Sequence, residues 1–341
     1  METIQSNLVA DVITEIFENL SVRDLLSALL VNQEWCQIAV PMYWKAPFSY
    51  TKKRSIAALK IYELFFERGS STLLGTKENS ARGAVQETPV LYDYPLFLKE
   101  LNYTNLLALG ERVEAILQML TNRGIRLNTF VMDNTGANNE AFYGIWTAPC
   151  YAPIFNSLIH VEIHTPFSKN NVMKTLAKNC TRLSHLDINL YDNAPDRVKE
   201  TLDYLEKLFS VQQCRLNLRL VFPNGPGKML INTFQSQLES FKRLELVKWD
   251  FNGCEWRWLK MCPNLTEFAI TSPPQTGVSD TLGSIYETYL LKPSKNSKIR
   301  TAHWHFDKDD DGISSMSNFY FHQDKPSMEP YDDKPPFLKR R

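Results

Sequence analysis

The sequence predicts an α/β chain in which three short helices over residues 1–47 precede an irregular solenoid of strands and helices over residues 111–306. Three observations lead there. Leu8, Val12, Ile13, Ile16, Phe17 and Leu20 are followed closely by Leu25, Leu26, Leu29, Leu30 and Val31, more apolar surface than a module of about 40 residues buries unaided. Beyond Gly110 a strand-like pattern, apolar-x-x-apolar-x-apolar, keeps returning. Between its occurrences lie stretches with helical periodicity.

Composition sets the class of partner. The chain has 341 residues, 43% apolar and 22% charged, which is ordinary globular material with enough length for a large core or several modules. Its 38 basic and 38 acidic side chains cancel, so no long-range field favours nucleic acid or an anionic membrane. Six cysteines stand far apart with no CxxC pair, the pattern of reduced thiols in a cytoplasmic or nuclear protein. Apolar runs stop short of a membrane span, and the amino terminus carries no basic n-region of a signal peptide.

In the opening module, Ile13, Ile16, Phe17 and Leu20 fall at i, i+3, i+4 and i+7, one face of a helix, while Thr14, Glu15, Glu18 and Asn19 take the other. Ser21 with Asp24 three residues on resembles a capping box, so a second helix is expected from Val22, carrying Leu25, Leu26, Leu29 and Leu30. Asn32 is placed to cap a third helix holding Trp35, Ile38 and Ala39, which Pro41 is expected to end shortly before Trp44.

These residues carry a family resemblance. Leu8, Asp11, Ile16-Phe17-Glu18-Asn19-Leu20, Asp24-Leu25-Leu26, Val31-Asn32-Gln33-Glu34-Trp35 and Pro41-Met42-Tyr43-Trp44 match in order and spacing the pattern of an F-box, which Leu8 to Trp44 therefore resembles. Val9 stands where the family has a Pro that contacts its adaptor, and Asp11 where a Glu is usual. The resemblance implies binding to the small Skp-type adaptor of a cullin-RING ubiquitin ligase, with the rest of the chain selecting a client. Leu8, Ile13, Ile16, Phe17, Leu20 and Leu25 are the expected adaptor contacts. Burying about five of them at roughly 1.5 to 3 kcal/mol each would gain on the order of 10 kcal/mol before association costs. The alternative is that they pack on the same chain as an ordinary helical cap.

Residues 48–110 read as a connecting region, with a helix over Ile56 to Arg68 and a polar, flexible loop near residues 69–88. Tyr92 to Leu101 resembles the segment that follows the F-box in fungal F-box proteins with leucine-rich repeats. The repeated strand pattern occurs as Leu127-Phe130-Met132, Leu158-Val161-Ile163, Leu183-Leu186-Ile188, Gln213-Leu216-Leu218, Leu244-Val247-Trp249, Leu265-Phe268-Ile270 and Ile299-Ala302-Trp304. Helices are expected at Glu111 to Asn122, Asn171 to Asn179, Arg197 to Phe209, Lys228 to Phe241 and Glu255 to Met261. Strand plus helix per repeat suits degenerate leucine-rich repeats; a doubly wound α/β domain is the alternative.

In a solenoid register, period-two alternation sends the residues between the apolar ones onto an open surface. That surface is expected to include His160, Glu162, His164, His185, Asp187, Arg215, Arg219, Leu246, Lys248, His303 and His305. All but Leu246 are polar, and these are the candidate client contacts; the alternative is a solvated face without a partner.

His160, Glu162 and His164 also alternate on one strand, with His185 and Asp187 as candidate neighbours, a feasible zinc set. Ligands at i, i+2 and i+4 are about 7 Å apart per step, which suits one tetrahedral ion poorly, and no metal or other cofactor is expected. Asp307 to Gly312 matches half of an EF-hand loop, but Asn318 at the twelfth position supplies no bidentate carboxylate, so an acidic turn is expected there. The remainder of residues 307–341 reads as a disordered tail. No nucleophile elbow, P-loop or dinucleotide fingerprint occurs, and no catalytic residue is assigned. The reading is a non-enzymatic substrate receptor of a Skp-cullin-F-box ligase. The alternatives are a repeat scaffold without a ligase partner and a metal-dependent hydrolase using His160, His164 and His185.

Overall fold

Capping residues set the first three helices. Helix α1 (Glu2–Glu18) gives way to Ser21, whose side chain accepts the Asp24 amide at 3.3 Å and donates to the Asp24 carboxylate at 2.6 Å, opening α2 (Val22–Ala28). Asn32 accepts the Trp35 amide at 2.8 Å and opens α3 (Gln33–Tyr43). The caps are those read from the sequence. Pro41, expected to end α3, instead lies inside it, and the helix runs two residues further.

The computed structural model describes residues 2–73, 91–107, 113–132, 146, 148–164, 171–189, 195–235, 237–250, 254, 257–272, 301–306, 316–322 and 325–327. The chain divides into two compact units, one of residues 1–133 with 148–158 and the other of residues 134–147 with 159–341. The boundaries differ from those expected, since the three opening helices share a unit with the connecting region and with the first repeat motif.

In the first unit, Phe17, Leu25, Ala28 and Ala39 form the centre of the α1–α3 knot, and Phe17 meets Trp35 edge to face at 5.2 Å. Trp44, buried at the end of the knot, stacks on Tyr62 of α4 (Lys52–Leu73) and lies 4.5 Å from Tyr94. The Lys45 carbonyl accepts the amides of Lys99 and Glu100, leading into β1 (Glu100–Asn102), and α5 (Tyr103–Leu107) follows. Helix α6 (Val113–Asn122) ends in a Schellman motif: Gly124 adopts φ +63°, its amide bonds the Thr121 carbonyl, and the Ile125 amide reaches back to Leu120. A side chain at Gly124 would strain that turn. Strand β2 (Thr129–Met132) pairs parallel with β1, and α7 (Ala152–Phe155) completes the unit.

The second unit is a sheet whose strands pair in the order they are made. Strands β3 (His160–Ile163), β4 (His185–Asn189), β5 (Leu216–Pro226), β6 (Phe241–Asp250), β7 (Glu267–Ser272) and β8 (Thr301–Phe306) are all parallel, each to the next. Helices α8 (Asn171–Asn179), α9 (Pro195–Ser210) and α10 (Gly227–Gln235) cross over between β3 and β6, α8 packing on α9 and α9 on α10. A doubly wound domain reverses its strand order to cover both faces. Among the described strands the order does not reverse, and right-handed crossovers then put α8, α9 and α10 on one side.

Register aligns the apolar residues on that side. Ile163, Ile188, Leu220, Leu246, Ile270 and Trp304 form one row, and Val161, Leu186, Leu218, Leu244, Phe268 and Ala302 another. Those whose burial is described are all buried, each such side chain being worth about 1.5 to 3 kcal/mol.

Several expectations are corrected. Leu246 is buried in the apolar row, not on the open surface, and the side chain of Lys248 lies outside the described set. Strand β6 has apolar residues on both parities, and the partner register, not the local pattern, decides which face inward. Arg215 is exposed and precedes β5. The helix expected over Lys228 to Phe241 stops at Gln235, because Phe241 opens β6; a 3-10 turn, Arg257–Met261, replaces the last expected helix. The segment expected to be tail contributes β9 (Met316–His322), antiparallel to β8, and β10 (Lys325–Ser327), antiparallel to β9. The acidic turn at Asp307 to Gly312 and most of the polar loop near residues 69–88 lie outside the described residues; α4 extends over its start, to Leu73.

All six cysteines are free thiols. Burial pushes the thiols of Cys180 and Cys262 up to about 12, whereas Cys150 and Cys214 are exposed. A maleimide probe at neutral pH is expected to label Cys150 and Cys214 rapidly and Cys180 and Cys262 only after denaturation, read by peptide mass spectrometry.

Candidate functional site

Two surfaces stand out, one in each unit. On α1 the sequence stripe splits. Phe17 is buried, Ile13 and Leu20 pack half-buried against the knot, and Ile16, at 53% exposure, points away with Val12 at 51%. Leu8 occupies the position four residues before Val12 on the same helix; its side chain lies outside the described set. Leu25 is likewise part of the interior. The five expected adaptor contacts whose side chains are described are therefore of two kinds: Phe17 and Leu25, with Ile13 and Leu20, hold the helices together, and Ile16 is presented.

Three more apolar side chains join it, Leu26, Leu30 and Val31. Five of the twelve exposed large apolar side chains among the described residues thus fall within the twenty residues from Val12 to Val31. Single exposed leucines are common on any protein, but such concentration marks a contact surface. The i, i+4 spacing of Val12 and Ile16 on α1, and of Leu26 on α2 with Leu30 in the turn after it, was visible in sequence; which arc faced outward was not.

On the side of the second unit's sheet away from α8, α9 and α10, polar residues align across strands. His160, His185, Asn217, Arg243 and Glu267 form one row, and Glu162, Asp187, Arg219, Glu245 and Ala269 the next. The Arg219 Nη1 donates to Asp187 at 3.0 Å and its Nε to Glu245 at 3.0 Å. His164 Nε2 reaches the Asp187 carboxylate at 3.1 Å, and Arg243 bridges Glu245 and Glu267 at 3.5 and 3.4 Å. His160 Nε2 lies 2.7 Å from the Glu162 carboxylate, and its ring centroid is 4.2 Å from that of His185. The structure thus brings together His160, Glu162, His164, His185, Asp187 and Arg219, and adds Glu267 together with Arg243 and Glu245, the last two of which sequence reasoning passed over. His303 and His305 hold the β8 register positions opposite Ala269 and Thr271, their side chains outside the described set.

The network shifts its members' proton affinities. Burial raises the pKa of Asp187, but the His164 hydrogen bond and the Arg219 charge outweigh it and leave the carboxyl below its ordinary value. The His160 hydrogen bond holds Glu162 low as well, against its own burial. Arg219 is driven up by Asp187 and Glu245 despite burial. His185 is pulled down, first by burial and then by the neighbouring His160, while Glu162 and Asp187 oppose and Arg243 reinforces the shift.

A histidine whose folded pKa lies below 6.5 binds fewer protons folded than unfolded, so stability rises with pH through that window and falls as pH drops below about 6.5. In metal-free buffer the urea midpoint is expected to decline between about pH 7.5 and about pH 5.5. The His185→Gln chain is expected to show a flatter profile over the same interval, and an unchanged slope would contradict this assignment.

No helix among the described residues is long and apolar enough to cross a membrane. No curated protein matches the chain. The F-box domain model matches residues 6–42, the stretch that contains most of α1, all of α2 and nearly all of α3, the capping residues Ser21 and Asn32, and all five exposed apolar side chains of the cluster. Residues 6–42 match the F-box domain, and this match supports an F-box protein with the general role of an adaptor subunit in a Skp-cullin-F-box ubiquitin ligase.

Proposed function

We propose that this chain is the client-selecting subunit of such a ligase. The concentration of exposed apolar side chains on the family-matched helices carries the reading. Val12, Ile16, Leu26, Leu30 and Val31, with Leu8, form the docking face for a Skp-type adaptor, and the adaptor links the chain to a cullin. The second unit acts as a leucine-rich-repeat-like solenoid whose charged face holds a client; its sequential strand order and one-sided helices support that architecture. Catalysis belongs to other subunits. The chain works by proximity in the cytoplasm or nucleus, raising the effective concentration of client lysines near a charged ubiquitin carrier.

Removing those five side chains from water, each already about half covered or less, yields on the order of 6 kcal/mol, comparable to the lower range of association costs. Each contact therefore matters. Mixing the purified chain with a Skp-type adaptor and following co-elution by size exclusion tests the reading: a one-to-one complex is expected. Two separate peaks at micromolar concentration would leave a repeat scaffold without a ligase partner as the better account.

A further inference from the structure

We propose that His160, Glu162 and His185 form a binding site for one divalent transition-metal ion of the zinc class on the face of the second unit's sheet away from α8, α9 and α10. Among the described residues these three are the group whose metal-ligating atoms converge: one from each side chain, all within 4.8 Å of one another, at intermediate burial. Within β3 alone the spacing argues against a site, because alternate strand positions are about 7 Å apart. The parallel register removes that objection. It sets His185 directly opposite His160, and parallel neighbours are separated by only about 4.8 Å. Glu162 bends back along its strand, its carboxylate 2.7 Å from His160 Nε2.

Tetrahedral zinc holds nitrogen and oxygen ligands at about 2.0 to 2.2 Å, so its ligands lie about 3.4 Å from each other. Small side-chain rotations bring the three atoms from their present separations to that spacing. The donor types fit: two imidazoles and one carboxylate are a usual three-residue set for zinc, with a fourth position left for water or an incoming group. Charge fits as well. Glu162, Asp187, Glu245 and Glu267 face Arg219 and Arg243 across this part of the sheet, four carboxylates against two guanidiniums, so a cation enters a net anionic field. His164, the third histidine nearby, is held by Asp187 and stays outside the set. The bound ion would tie β3 to β4 and leave one coordination position facing outward.

The test uses the full chain, stripped with chelator and dialysed against Zn2+, then desalted and analysed by elemental mass spectrometry beside a thermal melt. One ion per chain and a melting temperature raised by zinc are expected. His185→Ala and Glu162→Gln should each weaken zinc retention by at least about tenfold and abolish the zinc-dependent rise, whereas His322→Ala, a histidine on β9, should retain both. Circular dichroism of the metal-free variants shows whether each is folded, and Glu162→Gln, nearly isosteric, reads the site if His185→Ala is not. Substoichiometric zinc on the folded chain, or equal retention by the folded variants, would overturn the proposal.

Discussion

Replacing Val12 and Ile16 together by Asp is expected to abolish capture of a Skp-type adaptor while leaving the chain folded. Both side chains are about half exposed, so the two substitutions together cost the fold about 2 kcal/mol through lost cover and helix propensity. In the complex the same carboxylates would be desolvated against an apolar partner without a counter-charge, which costs several kcal/mol. A combined loss of about 4 kcal/mol corresponds to roughly a thousandfold in affinity. Phe17→Ala provides the contrast. Phe17 is buried at the centre of the knot, so its truncation should cost about 3 to 5 kcal/mol of stability and lose binding only by loosening the helices. Titration calorimetry with thermal melts separates the two. Unchanged affinity in the folded double variant would sink the docking face.

The second large effect is expected at Asp187. This carboxylate is almost fully buried and receives Arg219 at 3.0 and 3.3 Å and His164 at 3.1 Å. Asp187→Ala leaves Arg219 with Glu245 as its remaining partner and strips His164 of its carboxylate. Breaking a fully buried pair costs about 3 to 5 kcal/mol. Arg219 is one-third exposed, so about 2 to 3 kcal/mol is expected, or a melting point lower by roughly 5 to 10 °C. The sign of the pH dependence is a further check. Because the folded pKa of Asp187 is depressed, its contribution is present above the ordinary value of 3.8 and is lost as pH falls through the lower folded value. The gap between wild type and variant should therefore close in strong acid. A double-mutant cycle with Arg219→Ala should show positive coupling between the pair.

What could be read from the chain divides along local and non-local lines. Ser21 and Asn32 announce their helices because capping is decided within three residues. The strand pattern located β2, β3, β4, β7 and β8 because alternation is local too. On α1, Ile16 and Phe17 are adjacent and equally apolar, so periodicity identified the helix but not which of them faced outward. Strand β6 misled for a related reason: Leu246 and Val247 are both buried, and only pairing with Leu220 and Val221 assigns their faces. The convergence of His160 and His185 depends on a register between residues 25 positions apart, which spacing along one strand cannot express. Strand β9 was missed because its partner lies across an aspartate-rich stretch that signals a turn just as well as an end.

Strand β9 runs back against β8, and the last described strand, β10, is three residues long with a lysine and a proline in it. A sheet assembled by adding one parallel strand after another offers, at its final margin, a bare row of amides and carbonyls that any passing extended peptide could extend. Lys325 brings charge to that margin and Pro326 brings no amide at all. Among the described residues the ladder thus ends in a strand that is a poor template for further growth, which favours a chain that stays discrete at high concentration over one that propagates edge to edge.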